Sequence, residues 1–95
     1  MTRIVWSPLA IEDVEAIRAY VARDSPRSAD LLVERLVAAV ERLEANPLSG
    51  RVVPEVGDEA LREVIHGNYR IVYRARLDVV EIATVFHGAR LFPLR

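Results

Sequence analysis

Cysteine and lysine are both missing from these 95 residues. Without cysteine there is no disulfide framework and no thiolate-ligated metal. Without lysine, all thirteen basic residues are arginine, so any mechanism loses one common acid, base and phosphate ligand. No apolar run approaches the ~18 residues of a membrane span. The opening Met1-Thr2-Arg3-Ile4 leads straight into a structured-looking segment, so no signal peptide is expected. There is no internal repeat and no low-complexity stretch. These absences fit a cytoplasmic protein with no cofactor, no metal and no membrane partner.

What is present suits a single domain over 1–95, near the lower end of what folds on one core. The 52% hydrophobic content is ample for that core, and 28% charge is ordinary. The overall charge of −1 hides an asymmetry: residues 1–60 carry seven Arg against eleven acids, whereas residues 61–95 carry six against three. The back half is therefore basic enough to meet phosphate or an acidic protein, but not basic enough to indicate nucleic-acid binding by charge alone.

Residues 3–6, "RIVW", read as a short strand. Ser7-Pro8 is helix-start chemistry: a serine hydroxyl can cap a first-turn N–H, and proline loses nothing at the first helical position. Acidic Glu12, Asp13 and Glu15 follow near that end, and Ala10, Val14, Ile17 and Val21 recur at helical spacing. The spacing predicts a helix over about 8–23. Ser25-Pro26 repeats the punctuation, and Leu32, Leu36, Ala39, Val40 and Leu43 predict a second helix over 26–45, ended by Asn46-Pro47. Its apolar arc is wider than one sheet face needs, so it is either buried between partner helix and sheet or partly open to another chain.

Residues 46–60 read as a loop. Three strands follow, 61–66, 68–75 and 79–87, with a hairpin turn at Gly67, a second turn over 76–78 and a tail, "GARLFPLR". The order β-α-α-β-β-β implies an α+β fold, with a helical hairpin on one face of a small antiparallel sheet and the other face partly open. In "NYRIVYR", Tyr69, Ile71 and Tyr73 point to one side as core residues. Arg70, Val72 and Arg74 point to the other, with Arg76 continuing it. Those arginines are either a solvated face paired to Glu63 or Glu81 or a surface that grips something negative.

The segments "WSPLAIEDVEAI", the helical hairpin, "NPLSG", "LREVIHGNYRIVYR" and "VEIATVFHGAR", in this order, resemble the RelE/ParE superfamily of type II toxins over essentially the whole chain. The resemblance implies the RelE/ParE toxin fold and a toxin neutralised by a cognate antitoxin. It implies one of two targets: DNA gyrase in the ParE-like branch, or messenger RNA on the ribosome in the RelE-like branch, cut without metal. Fold alone does not choose between them.

Metal-free RNA cleavage needs a base for the 2′-OH, an acid for the leaving oxygen and cations for the growing phosphate charge. Arg70 suits the last service and falls where the resembling nucleases carry a functional arginine. His87, with a reference pKa of about 6.5, could be acid or base if the protein is a ribonuclease. Glu63 or Glu55 could supply a carboxylate, but the sequence places neither in the site. No lysine supports the site, and Gly88 follows His87 where those nucleases commonly have tyrosine. The pattern therefore favours the ParE-like branch, acting by binding. Arg62, Arg70, Arg74 and Arg90 are the candidate target- or antitoxin-binding residues, Arg90 on resemblance. His66 reads as a turn residue and Trp6 as core or rim packing. The antitoxin is expected to carry a ribbon-helix-helix-like DNA-binding part, so that operator DNA is met only indirectly.

Overall fold

The computed structural model describes residues 2–89. The chain forms strand β1 (Arg3–Trp6), helix α1 (Pro8–Ala22) and helix α2 (Pro26–Glu41), which tightens into a 3-10 turn at Arg42–Glu44. Strands β2 (Arg51–Val52), β3 (Leu61–His66), β4 (Tyr69–Ala75) and β5 (Val79–His87) follow. Both helices start as their sequence predicts. The Ser7 and Ser25 hydroxyls accept from the N–H groups of Ala10 and Ser28, with proline at the first position of each helix. An exposed ion pair between Arg18 and Asp30 links the two helices near their connection.

The five strands form one sheet in the order β1-β5-β4-β3-β2. The β3–β4–β5 meander is antiparallel, as expected. Two features differ from the sequence reading. First, β1 runs parallel to β5, so the sheet is mixed. The helical hairpin intervenes between β1 and the meander, and the chain returns to β1's side only with its last strand. Second, the 46–60 segment contains β2, whose two residues pair with Glu63 and Arg62; a strand that short carries no periodicity to detect.

The main core lies between the helices and one sheet face. Ala10, Leu36, Val40, Leu43, Ile71, Tyr73, Val80 and Ile82 form it, with Trp6, Leu32 and Tyr69 packed at its margin. Helix α2 buries Ala29, Leu36, Ala39 and Val40 but leaves Leu31 exposed, so the wide arc is mostly, not wholly, consumed. The buried Tyr73 hydroxyl accepts from the Gly50 N–H at 2.9 Å, tying β4 to the segment before β2. Burial pushes the Tyr73 phenol up from its ordinary pKa, against the pull of that hydrogen bond and of nearby Arg62.

A β-bulge fixes how α1 docks. Val72 pairs with Thr84 and Tyr73 with Ile82, which leaves Ala83 as an extra residue on β5. The backbone groups disturbed there are taken up by α1. Ser7 Oγ donates to the Ala83 carbonyl at 2.9 Å, and Asp13 Oδ2 accepts from Thr84 Oγ1 at 2.5 Å and from the Val85 N–H at 3.0 Å. Asp13 is thus a docking residue, more than an acid near a helix start.

The second sheet face is not simply open. Val53, Leu61, Val72 and Phe86 form a smaller buried cluster on it. Val53 introduces the segment from β2 to β3, so this part of the face is roofed by loop. Among the described residues, no helix is long and apolar enough to cross a membrane.

Candidate functional site

The site begins at the two-residue turn Gly67-Asn68 between β3 and β4, where Gly67 takes a φ of +57°. Opposite it, β5 ends at His87, and the Gly88 N–H donates to the Asn68 carbonyl at 2.6 Å. Between these ends lies an open cleft of about 510 Å³, walled by Arg51, Ile65, Asn68, Tyr69, Arg70 and His87. Alternation alone would part Arg70 from His87, since Arg70 pairs with Phe86 and His87 with Tyr69 on the opposite face; both line this cleft because it opens at the turn end of the sheet.

Arg70 departs from the expectation of an exposed arginine face. It is only 8% exposed. Its Nη1 and Nη2 meet the two Glu55 oxygens at 2.8 Å each, fork against fork. Its Nε donates to Glu63 Oε1 at 2.6 Å, and its guanidinium lies 5.3 Å from the centre of the Phe86 ring. Glu63, 1% exposed, also accepts from Arg51 Nε at 2.6 Å. Four charges therefore alternate as Arg51, Glu63, Arg70 and Glu55. The Arg51–Glu63 contact joins residues directly opposite on β2 and β3, whereas Arg70 reaches Glu63 on the diagonal, since Ile65 is its direct partner. Of the two partners weighed from sequence, Glu63 is the one that pairs with Arg70.

The electrostatics follow from these contacts. The Arg70 hydrogen bonds pull the Glu55 carboxyl down from 4.5 to about 2. Its bond to Glu55 leads in raising the Arg70 guanidinium above its ordinary value, with Glu63 adding to the effect despite burial. The ladder is electrically balanced, and Arg70 is held as a cation already facing two anions.

His87 is exposed at the strand end. Its Nδ1 accepts from the Ala89 N–H at 3.1 Å, and its ring meets Tyr69 edge-on at 5.5 Å. The local hydrogen bond orients the imidazole with Nδ1 as acceptor. His66, at the end of β3 beside the turn, is half-buried and pairs across to Tyr69.

The other candidates lie elsewhere. Arg62 donates to the carbonyls of Glu59 and Gly50 at 3.0 Å and of Leu48 at 3.4 Å, so it braces the segments on either side of β2. Arg74 stands 4.0 Å from Asp58, a loose pair. Arg74 is four residues along β4 from Arg70, roughly 13 Å at 3.3 Å per residue, so the three arginines do not form one continuous patch. Arg90 lies outside the described residues. The residue missed from sequence is Arg51, whose strand is too short to detect; Glu55 is a candidate carboxylate in the sequence, but its place on Arg70 depends on a turn. Among the described residues, no group of three or more His, Asp or Glu side chains could hold a metal ion.

Comparisons with known proteins bear on this geometry. The family model described as ParE toxin of type II toxin–antitoxin system, parDE, matches residues 4–92. Y4kP of Sinorhizobium fredii is 36% identical over 93 residues, covering 96% of this chain and 93% of that protein. Toxin RelE2 of Caulobacter vibrioides is 35% identical over 92 residues, covering 96% of this chain and all 100% of its own length. A solved structure described as the chromosomal ParDE TA system from P. aeruginosa superposes with a TM-score of 0.74 at 21% identity, over 92% of this chain and 96% of that one. At that identity the match speaks for the fold.

Proposed function

The chain belongs to the ParE toxin family of type II toxin–antitoxin systems, and on that premise we propose that it arrests growth in the cytoplasm by binding and poisoning DNA gyrase. A cognate antitoxin neutralises it and, through a ribbon-helix-helix-like part, represses the operon. The observation that carries this reading is the state of Arg70. Its guanidinium is engaged by Glu55 and Glu63, so it is not poised to collect charge growing on a scissile phosphate. With no lysine anywhere in the chain, the cation supply for metal-free RNA cleavage is thin, and a mechanism based on binding asks for none.

The second reading is a RelE-like ribonuclease acting on translated messenger RNA. One observation favours it: Arg70 and His87 line the same cleft. Under it, Arg70 would hold phosphate and His87 would move a proton. The two readings separate in one experiment, a gyrase supercoiling assay run beside translation of a labelled messenger RNA, each with purified toxin. Loss of supercoiling or accumulated cleaved DNA, with intact RNA, is the expected result. Cut RNA with normal gyrase would overturn it, and His87→Ala should then abolish growth arrest. Under the gyrase reading, His87→Ala leaves arrest in place.

A further inference from the structure

The Arg70–Glu55 contact has the geometry of a ligand complex made within one chain. Both terminal nitrogens of a nearly buried guanidinium meet both oxygens of a carboxylate at 2.8 Å, the bidentate arrangement by which arginine recognises free carboxylate and phosphate. The two carboxylates on Arg70 differ in how they are held. The Glu63 side chain is fully buried in a strand and also takes Arg51. The Glu55 side chain is 38% exposed and hangs on a loop.

That loop is a small built turn. Val53 is buried, and its carbonyl accepts from the Val56 N–H at 3.1 Å and the Gly57 N–H at 2.9 Å. Gly57 closes the turn at a φ of +73°, which a side chain at that position would strain. Beyond Val53, the side chain that ties the turn to the sheet is Glu55. Beside Arg70 lies the 510 Å³ cleft with Arg51, Asn68 and His87 on its walls. The four-charge ladder sums to zero; without the Glu55 carboxylate it carries one net positive charge facing solvent-accessible space.

We propose that Glu55 is the internal plug of an oxyanion site on Arg70. When the Val53–Gly57 turn lifts, a small external oxyanion, carboxylate or phosphate, takes the place of the Glu55 carboxylate on Arg70 Nη1 and Nη2. The plug sets the affinity. A tethered carboxylate competes at an effective concentration of about millimolar or more, so an external anion binds weakly until Glu55 is displaced. The proposal goes beyond the gyrase reading, which rests on the resting state with Glu55 in place on Arg70.

The test titrates the full chain with inorganic phosphate and, separately, with acetate at constant ionic strength, following the backbone amides of Asn68 and Gly88 by NMR. Glu55→Ala should bind one or both anions at least about tenfold more tightly than the unaltered protein, and Glu55→Ala combined with Arg70→Gln should lose that gain. A preference for phosphate or for acetate then names the source. Equal affinity with and without Glu55 overturns the proposal, as does a gain that survives loss of Arg70. Should either variant fail to fold, the unaltered protein decides it: the Glu55 side-chain carboxyl carbon shift should move as phosphate is added, and a constant shift overturns the plug.

Discussion

The two faces of the sheet solve the same burial problem with different chemistry. On the helix side, β4 and β5 bury Ile71, Tyr73, Val80 and Ile82 against Leu36, Val40 and Leu43 of the α2 region, and the stabilisation is apolar area removed from water. On the loop side, the buried apolar cluster among the described residues is smaller: Val53, Leu61, Val72 and Phe86. Beside it, among the described residues, lies the Arg51–Glu63–Arg70–Glu55 ladder. A helix pair supplies a broad hydrophobic stripe; a loop of this length cannot. What it can supply is one carboxylate at the right height, and a charged core needs its partners far more strictly than an apolar core needs any one methyl group. The helix side should therefore tolerate truncation in proportion to volume, whereas the loop side should fail sharply when the buried carboxylate of its ladder, Glu63, is removed.

The sharpest way to break the contrast is Glu63→Ala, which strips both Arg51 and Arg70 of a fully buried partner. A loss of about 3–5 kcal/mol is expected, read as a fall in the urea midpoint; a loss under about 1 kcal/mol would mean that solvent already satisfies those arginines. Next is Leu36→Ala in the helix-side core, where a cavity and lost transfer free energy should cost about 3 kcal/mol by the same measurement. A larger loss here than at Glu63 would reverse the order of the two faces.

Smaller again is Asp13→Ala. It leaves the Thr84 hydroxyl and the Val85 N–H without the acceptor they share beside the bulge. The expected cost is about 1–2 kcal/mol, with faster amide hydrogen exchange at Val85 as the local signature. Unchanged exchange there would show that the bulge holds its own geometry without α1.

The smallest effect is at Glu55, since solvent reaches its carboxylate and screens the pair. Its sign is fixed by the shift. The folded carboxyl titrates at about 2, below its ordinary 4.5, so its contribution is complete above about pH 5 and is lost as the pH falls through the folded value. The stability gap between the unaltered protein and Glu55→Gln should be flat from neutral pH down to about 5 and should narrow toward pH 2. A gap that stays constant on acidification would show that Glu55 is not the titrating partner.

Much of this architecture is legible in the residue order. Ser7-Pro8 and Ser25-Pro26 mark the helix starts because capping and the fixed φ of proline are local effects. Gly67 marks the hairpin for the same reason. Tyr69, Ile71 and Tyr73 separate from Arg70, Val72 and Arg74 because a strand's side chains alternate. The site is less legible. Neither the cleft that Arg70 shares with His87 nor the burial of Arg70 follows from pairing β4 with β5, which sets the two side chains on opposite faces. Its two carboxylates lie fifteen and seven residues away along the chain, and only the path of the Val53–Gly57 turn puts the farther one in reach. Arg62 looks like another surface cation in the sequence. It is a brace to three carbonyls because β2 and the turns beside it end where they do.

The order of the residues alone set the main elements other than β2, the helix boundaries at their N-termini, the two faces of β4 and the family to which the chain belongs, all of which rest on local preference, periodicity or the ordered string of segments. Contacts across the fold set β1 parallel to β5, docked α1 on a bulge through Asp13, and split the arginine face of β4 into the buried Arg70 and the loosely paired Arg74. Those outcomes depend on contacts between distant segments, and alternation along a strand records which side a residue faces without recording what will cover that side.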